Sequence, residues 1–493
     1  MDALLLAPVA LPALAAAGYA VAGWRRATAW LGTLAAFGLL GSGIALARAV
    51  TGSRPRVALG GLLRADSLSA YMVIVIGAVA LLAMAASPAY LAAELAAGHT
   101  SPRAARRYGT LTQAFVAAMN LAVLAASLGV LWAAIEATTI LTAFLVGHRH
   151  TRGAVEAAWK YVVVCSVGIA LAFLGIVLVN LAAVHAGLPA GQALDWADLT
   201  VKGHALDPGV MRIAVALLIL GLGTKAGLAP MHAWLPDAHS QAPAPVSALM
   251  SGVLLSVAFY AILRTKVIAD AALGGGFART LLLVAALGSL AVAAGLLLAQ
   301  RDYKRMLAYS SIEHMGLLAL GAAAGSRLAL AAVLLHVLGH GLAKTVLFLG
   351  TGHLYQALGS SRIDSVRGLA GRAPLLAGTF GLGLCALLGL PPFSLFASEL
   401  GMFRAGFAAG LGWAVTIALA SLLVIFAAVA SHAGGMLLGQ PPGGPGAATA
   451  PLRLPASAAT ALVAGLVACA VLGVTAWPLR SLLDAAAAAA GGV

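Results

Sequence analysis

Charge is scarce in this sequence: 9% of its 493 residues are Asp, Glu, Lys or Arg, while 62% are apolar. A soluble chain carries about 25% charged and 45–50% apolar residues. With a mean hydropathy of +1.01, a solvated globular surface is excluded and a polytopic membrane protein is implied. Acidic groups are scarcest, 15 against 29 Lys plus Arg, for a formal charge of +14. In a soluble protein that excess would suggest nucleic acid. Here the basic residues sit in short connections between apolar runs, so positive-inside topology explains them and no nucleic-acid partner is expected. Cysteine is nearly absent. Cys165, Cys385 and Cys469 each fall in an apolar stretch without CxxC or Cys/His spacing, so no disulfide framework, iron–sulfur cluster or zinc site is expected in this chain. No basic region precedes the run near Leu4–Gly23 and another long run follows it directly, so it reads as a retained helix rather than a cleaved signal.

Apolar runs that can be separated number about fourteen, roughly 280 residues at ~20 per spanning helix. They lie near 3–22, 28–50, 67–87, 110–127, 129–147, 159–183, 209–239, 243–265, 280–299, 304–324, 328–355, 374–408, 411–434 and 456–477. All are expected to be helical, because a lipid-exposed segment must satisfy its own backbone hydrogen bonds. The remainder leaves no room for a sizeable extramembrane domain. Thr51–Arg64, with Pro55 and Gly60-Gly61, suits a small surface hairpin. Gln440–Pro455, rich in Pro and Gly, reads as a flexible loop, and the Ala-rich tail after Trp477 carries no evident chemistry.

Two runs are anomalous. Pro208–Asp237 and Pro374–Arg404 are each too long for one span, and carry Gly227 with Pro230, and Gly389 with Pro391 and Pro392, near their middles. Proline removes a donor and clashes with the preceding turn, so each is expected to be an interrupted helix. Paired interruptions in corresponding halves point to inverted repeats with a transport site at the breaks; ordinary kinks are the alternative. Counting Lys and Arg by alternate loops gives roughly fifteen against about twelve. That weak bias favours both termini outside, with the loops holding Arg25-Arg26, Arg103–Arg107, Arg149–Lys160 and Arg301–Arg305 in the cytoplasm.

Each ionisable group at membrane depth costs about 2.5–3.5 kcal/mol or more unless paired or hydrated, which makes the few present informative. Glu136 lies in LGVLWAAIEATTILTAFLVG, roughly 10 Å along its run at 1.5 Å per residue. Lys225, just before the first break in GLGTKAGLAPMHAWLPDAH, is its natural partner. Such a pair is either a protonation switch or a static buried salt bridge that fixes packing. His336, His340 and Lys344 form an i, i+4, i+8 row and so share one helix face. The i, i+4 histidines also suit a metal, but the metalloprotease pattern needs Glu directly after the first His, where Val337 stands. A row of proton-exchangeable groups is the preferred reading, with a structural role open for His336.

Glu399 follows the second break in LGLPPFSLFASELGMF. Glu313 and His314 begin a span about two turns beyond Arg305, and for Glu313 an interfacial ion pair and a functional role stand level. His232 lies inside the first break. Asp66 is explained by helix capping, and Asp237 and His239 by the end of the first broken helix.

The stretch GTKAGLAPMHAWLPDAHSQAPAPVSALMSGVLLSVAFYAILR, with Glu136 upstream and HGLAKTVLFLGTG and LPPFSLFASE downstream, resembles the antiporter-like subunits of respiratory complex I. IEATTILTAFLVG, EAAWKYVVVCSVGIALAFLG and LAYSSIEHMG are more similar still to component F of hydrogenase-4 type membrane complexes. The resemblance runs from about Asp66 to beyond Glu399. It implies an all-α fold of about fourteen transmembrane helices with two inverted five-helix repeats, each holding one broken helix. The corresponding divisions are N-terminal helices and hairpin at 1–108, a first repeat at 109–265, a second at 266–434, and a loop and last helix at 435–493.

By the same resemblance the family's Glu–Lys pair falls on Glu136 and Lys225, its further Lys or His group on His340 and Lys344, and its terminal charged residue on Glu399. His232, Glu313, His314 and His336 are secondary candidates. Many relatives carry a Lys or His where this chain has Ser256, so a proton path from Lys225 to His340 needs bridging water supported by hydroxyls such as Ser256 and Tyr260. The long lateral helix of the largest complex I subunit is not expected. The implied function is a proton-translocating, non-catalytic membrane-arm subunit of an oxidoreductase complex in a prokaryotic inner membrane. Its partners are other membrane-arm subunits, the lipid bilayer and a soluble hydrogenase-like redox arm, with metal or iron–sulfur cofactors in those partners and none in this chain. The alternatives are a monovalent cation/proton antiporter subunit, the membrane partner of a zinc protein in inorganic-carbon uptake, or a scaffold subunit that conducts nothing.

Overall fold

The computed structural model describes residues 2–440 and 454–492, and among these nearly everything is helical. Helices α1 (Asp2–Ala22) and α2 (Leu31–Val50) lead into a hairpin of β1 (Arg56–Ala58) and β2 (Leu63–Ala65), antiparallel with Arg56 opposite Ala65. The chain continues through α3 (Ser67–Ala96), α4 (Pro102–Leu124), α5 (Leu128–Val146), α6 (Arg152–His185) and a short α7 (Trp196–Val201). Then come α8 (Pro208–Ala226), α9 (Leu235–Gln241), α10 (Ala244–Leu249) and α11 (Leu255–Leu273), the last two fused through a π-helical turn at Met250–Leu254. The second half holds α12 (Gly275–Leu298), α13 (Tyr303–Ala324), α14 (Arg327–Leu358), a short α15 (Leu369–Arg372), α16 (Pro374–Leu387), α17 (Ser394–Ala408) and α18 (Gly412–Leu438), then α19 (Ala456–Val474) and α20 (Arg480–Ala489).

Eleven helices among the described residues are long and apolar enough to cross a membrane, fewer than the apolar runs suggest. The difference has a physical source. Helix α4 carries Arg103, Arg106, Arg107, Gln113 and Asn120, and α13 carries Lys304, Arg305, Glu313 and His314, so neither is uniformly apolar. The run at 374–408 divides into α16 and α17, of 14 and 15 residues, each below the ~20 that one span requires. The hairpin forms where Thr51–Arg64 suggests it. Most of the Gln440–Pro455 loop lies outside the described residues. The Ala-rich tail does have structure: α20 packs on α3 and α14 and buries Leu482 and Leu483.

Both anomalous runs are interrupted, and in the same way. Helix α8 ends at Gly227 (φ +78°), where Gly227 N–H donates to Thr224 O and Leu228 N–H to Gly223 O. Helix α16 ends at Gly389 (φ +62°), where Gly389 N–H donates to Ala386 O and Leu390 N–H to Cys385 O. Each is a Schellman ending, which satisfies the last carbonyls and needs a left-handed residue that glycine supplies. The shared string is Gly-Leu-x-Pro, with cis peptides at Ala229-Pro230 and Pro391-Pro392.

Helices α10 and α11 and helix α14 are buried all round, as central helices of a bundle are, while peripheral helices present Leu14, Leu34, Phe37, Val284 and Leu423 outward. Small residues set the close approaches. Gly252 in the π turn lies against Gly341 of α14, and Gly168 and Gly175 of α6 let α8 pack at backbone distance. A Cβ on Gly221 would stand 2.6 Å from Ala172 N and closer still to Gly168 O. Gly221→Val is therefore expected to lower the thermal unfolding midpoint of the detergent-solubilised protein by an overpacking cost of about 1–3 kcal/mol. Gly191→Val, where no atom lies within 4 Å, serves as the control and leaves the midpoint unchanged; equal midpoints for both variants would contradict this packing.

Candidate functional site

The last turn of α8 places Lys225 in the interior, with its side chain fully buried. Its ammonium donates to Thr139 Oγ1 of α5 at 2.8 Å and to the Tyr161 hydroxyl of α6, and lies 4.7 Å from the Tyr161 ring centroid. Tyr161 OH in turn pairs with Thr142 Oγ1 at 2.5 Å. Glu136, one turn before Thr139, is half-buried, and its Oε2 makes no hydrogen bond. The expected Glu136–Lys225 pair is therefore not a direct ion pair in this conformation. Hydroxyl acceptors hold the lysine, and Thr139 and Tyr161 stand where a carboxylate was anticipated.

Beyond Lys225 the interior continues through aromatic contacts. The Tyr161 ring lies 4.9 Å from Trp234, which lies 6.0 Å from His239; His239 in turn is 5.7 Å from Phe348 of α14. His239 is wholly buried and neither ring nitrogen makes a hydrogen bond within the protein. Sequence reasoning placed it at the end of the broken helix with Asp237. The structure separates the two: Asp237 stays at the margin, bridging Lys160 at 3.1 Å and Arg305 at 2.6 Å, while His239 turns inward. The signal that could have found it is its i+2 offset from Asp237, which puts the two on different faces of α9.

Helix α14 presents the next groups. Lys344 Nζ donates to Leu307 O and Ser310 Oγ of α13, both at 2.5 Å. His340, one turn back, is fully buried with both ring nitrogens unpartnered. His314 of α13 sits 4.9 Å from His340, centroid to centroid. His314 Nδ1 and His336 Nε2 share a 3.0 Å hydrogen bond, and His336 Nδ1 pairs with Ser398 Oγ of α17 at 2.9 Å. Buried polar atoms without protein partners take them from ordered water, so His239, His340 and the free Nε2 of His314 define places where water belongs.

At the far side, Glu399 packs its carboxylate against Gly389 in the second break, where any Cβ would collide with it. Glu313 and Glu399 line one cavity of about 270 Å³ with Leu388, Leu419 and Phe426. The interfacial ion pair considered for Glu313 is not formed, because Arg305 goes to Asp237 and Glu313 is buried. Three candidates fall outside this row. His232 remains half-buried in the break with Nδ1 unpartnered. The Tyr260 hydroxyl donates to Val123 O at 2.9 Å, accepts from Arg264 Nε at 3.1 Å and lies 3.2 Å from Ser69 Oγ. Ser256 is buried with an unpartnered Oγ.

One trio among the described residues could hold a metal: ligand atoms of His314, His336 and Glu399 lie within 4.8 Å of one another. A metal there would compete with the His314–His336 and His336–Ser398 hydrogen bonds, which engage both nitrogens of His336 and Nδ1 of His314.

Broken helices that bring buried lysines, histidines and carboxylates together inside a helical membrane protein define an ion-translocating membrane subunit by class. Residues 125–438 match the family described as NADH:quinone oxidoreductase/Mrp antiporter, transmembrane, and the chain belongs to it. It is 39% identical over 325 residues to a hydrogenase-4 component F homolog of Methylacidiphilum infernorum, covering 65% of this chain and 68% of that one. It is 32% identical over 352 residues to hydrogenase-4 component B of Escherichia coli, covering 68% of this chain and 50% of that one. Among solved structures, the fold matches a chain of an archaeal membrane-bound sulfane sulfur reductase with a TM-score of 0.88 at 24% identity, over 100% of this chain and 98% of that one. A chain of the Mrp complex from Dietzia sp. matches with a TM-score of 0.86 at 24% identity, over 99% and 97% of the two chains.

Elemental analysis of the purified chain, carried out without added metal, is expected to find zinc, iron and nickel well below one atom per chain. A stoichiometric metal that His336→Ala removes would reassign the His314–His336–Glu399 trio as a metal site.

Proposed function

We propose that this chain is the proton-translocating membrane-arm subunit of a hydrogenase-4-like, complex I-related redox complex. The observation that carries the reading is the arrangement of exchangeable groups between the two breaks: buried Lys225 at the first, buried His239, Lys344, His340, His314 and His336 between them, and buried Glu313 with the partly exposed Glu399 at the second. Each costs free energy at membrane depth, and few make the ion pairs that a purely structural role would supply.

In this reading α4, α13 and the paired α16 and α17 join the eleven apolar helices, for about fourteen membrane elements. The identical Schellman endings and Gly-Leu-x-Pro strings support two inverted repeats, at 109–265 and 266–434, after an N-terminal unit at 1–108 and before a C-terminal unit at 435–493. Both termini are outside. Other membrane-arm subunits adjoin the chain, and a soluble hydrogenase-like arm carries the metal or iron–sulfur cofactors.

A redox event in that arm changes the charge near Glu136. Lys225 leaves or regains its Thr139 and Tyr161 acceptors accordingly, a shift a flexible ammonium makes readily. The proton passes by way of water at His239 to His340 and Lys344, and Glu313 and Glu399 handle it at the second break. Moving one charge against 100 mV takes about 2.3 kcal/mol, which differential stabilisation of one buried lysine can supply.

The test is proton uptake by proteoliposomes holding the assembled complex. Glu136→Gln and Lys225→Ala are each expected to cut the rate about ten-fold or more, the factor for about 1.4 kcal/mol, with assembly verified on native gels. Parental rates in either variant would overturn the switch. Transport that requires sodium would instead support a cation/proton antiporter, the reading that the likeness to an Mrp chain keeps in view.

A further inference from the structure

A groove on the outside of the bundle lies apart from the row between the breaks. It is lined by the end of α5 and the start of α6, with Arg107 of α4 at its rim, and encloses about 450 Å³. Small residues make its floor: Ala143 and Gly147 of α5 and Ala158 of α6, whose Cβ lies 3.7 Å from where a Cβ on Gly147 would stand. Phe144 and Trp159, both exposed, form its sides.

The rim is basic. The Arg107 guanidinium lies 4.7 Å from the Phe144 ring centroid, and His150, in the connection between α5 and α6, lines the same groove. Helix α4 and the connection at 147–151 carry no acidic residue. The acidic residues of α3 and α6 are already taken, Glu94 by Arg149 at 2.9 Å and Glu156 by Lys160 at 2.6 Å. Among the described residues Arg103, Arg106, Arg107 and Arg152 form no ion pair. An occupant that complements the groove is therefore anionic at one end and apolar over the rest. Size decides between a helix and a hydrocarbon chain. The stretches Ile140 to Gly147 and Val155 to Val162 each cover about 10 Å of helix, so the groove has a mean cross-section of about 45 Å². A helix about 10–12 Å across needs roughly twice that, whereas an extended acyl chain fits.

We propose that this groove is a binding site for an anionic phospholipid of the leaflet that borders it. An acyl chain lies among Ile140, Phe144, Val155 and Val162, and the phosphate rests on Arg107 with His150 as a second donor. Arg107 keeps its charge, presents a planar fork that matches phosphate oxygens, and is held at the rim by its contact with Phe144. Trp159 suits the interfacial level at which a headgroup meets its chains, and basic pockets between membrane helices take anionic headgroups. A headgroup with its own ammonium would find no unpaired carboxylate at this rim, which favours phosphatidylglycerol over phosphatidylcholine. Ile140 stands one turn beyond Glu136, so the bound chain borders the part of α5 that carries Glu136 and Thr139. The site does not depend on which ion the complex moves.

The test uses the assembled complex in phosphatidylcholine nanodiscs doped with phosphatidylglycerol or phosphatidylcholine that carries a photoactivatable diazirine in one acyl chain. After irradiation, adducts are mapped by peptide mass spectrometry. The phosphatidylglycerol probe is expected to label the 140–162 segment several-fold more than the phosphatidylcholine probe at equal mole fraction. Arg107→Gln is expected to cut that labelling about ten-fold, as for a lost hydrogen bond to a charged group. Ala158→Phe, which fills the floor and leaves the charge in place, is expected to cut it as far, and Arg26→Gln, exposed outside the groove, to leave it unchanged. Equal labelling by both probes would reduce the groove to ordinary boundary lipid, and labelling by neither would mean that a protein neighbour covers it; either result overturns the site, as does parental labelling in Arg107→Gln. The comparison of the two probes needs no variant, so it decides even where a substitution prevents assembly.

Discussion

Everything in this molecule is arranged around the cost of keeping ammonium groups in a place without bulk water. Lys225 and Lys344 are both fully buried, and each is held chiefly by neutral oxygen: hydroxyls of Thr139 and Tyr161 for the first, a carbonyl and the Ser310 hydroxyl for the second. Neutral acceptors solvate a cation without locking it, whereas a tight buried ion pair resists separation by several kcal/mol. The molecule does use tight pairs, but at the margins. Arg149 binds both Glu94 oxygens at 2.9 Å, Arg305 and Lys160 share Asp237, and Arg264 holds Asp66. Fixed pairs tie helices together near their ends, and loosely held cations occupy the middle.

Packing follows from the same requirement. The two most enclosed segments, α10 with α11 and α14, are also rich in interior polar groups, because water-poor surroundings are tolerable only where other helices supply the partners. Gly252 against Gly341 brings α14 to the π turn, so that the Ser251 and Ser311 hydroxyls meet at 2.8 Å beside it. Such π turns recur at functional sites, and this one redirects the helix between the first break and the face that bears Ser256.

Much of this was legible in the sequence, for reasons that differ by residue. Lys225, His336, His340, Lys344 and Glu399 stand out because each interrupts an apolar run, and the two breaks stand out because Gly and Pro have fixed backbone consequences. His239 was missed because Asp237 nearby gave it a surface explanation. The acceptors of Lys225 were missed because threonine and tyrosine in an apolar helix are unremarkable until the fold brings α5, α6 and α8 together. The Asp66–Arg264 pair joins residues 198 positions apart, and capping already explained the carboxylate. Helices α4 and α13 were located by pattern but differ from the rest in polarity: Gln113, Asn120, Lys304, Glu313 and His314 are covered by protein, while Arg103, Arg106, Arg107 and Arg305 are exposed near the helix starts.

The Schellman ending of α8 has an electrostatic side as well. A helix that stops inside the bundle directs the negative end of its macrodipole there, at most roughly half an elementary charge, and Lys225 occupies that last turn. This dipole cannot be protonated, displaced or mutated away by changing a side chain. The lysine thus sits in a permanent background potential that is set by the interrupted backbone rather than by any side chain that can be protonated or replaced.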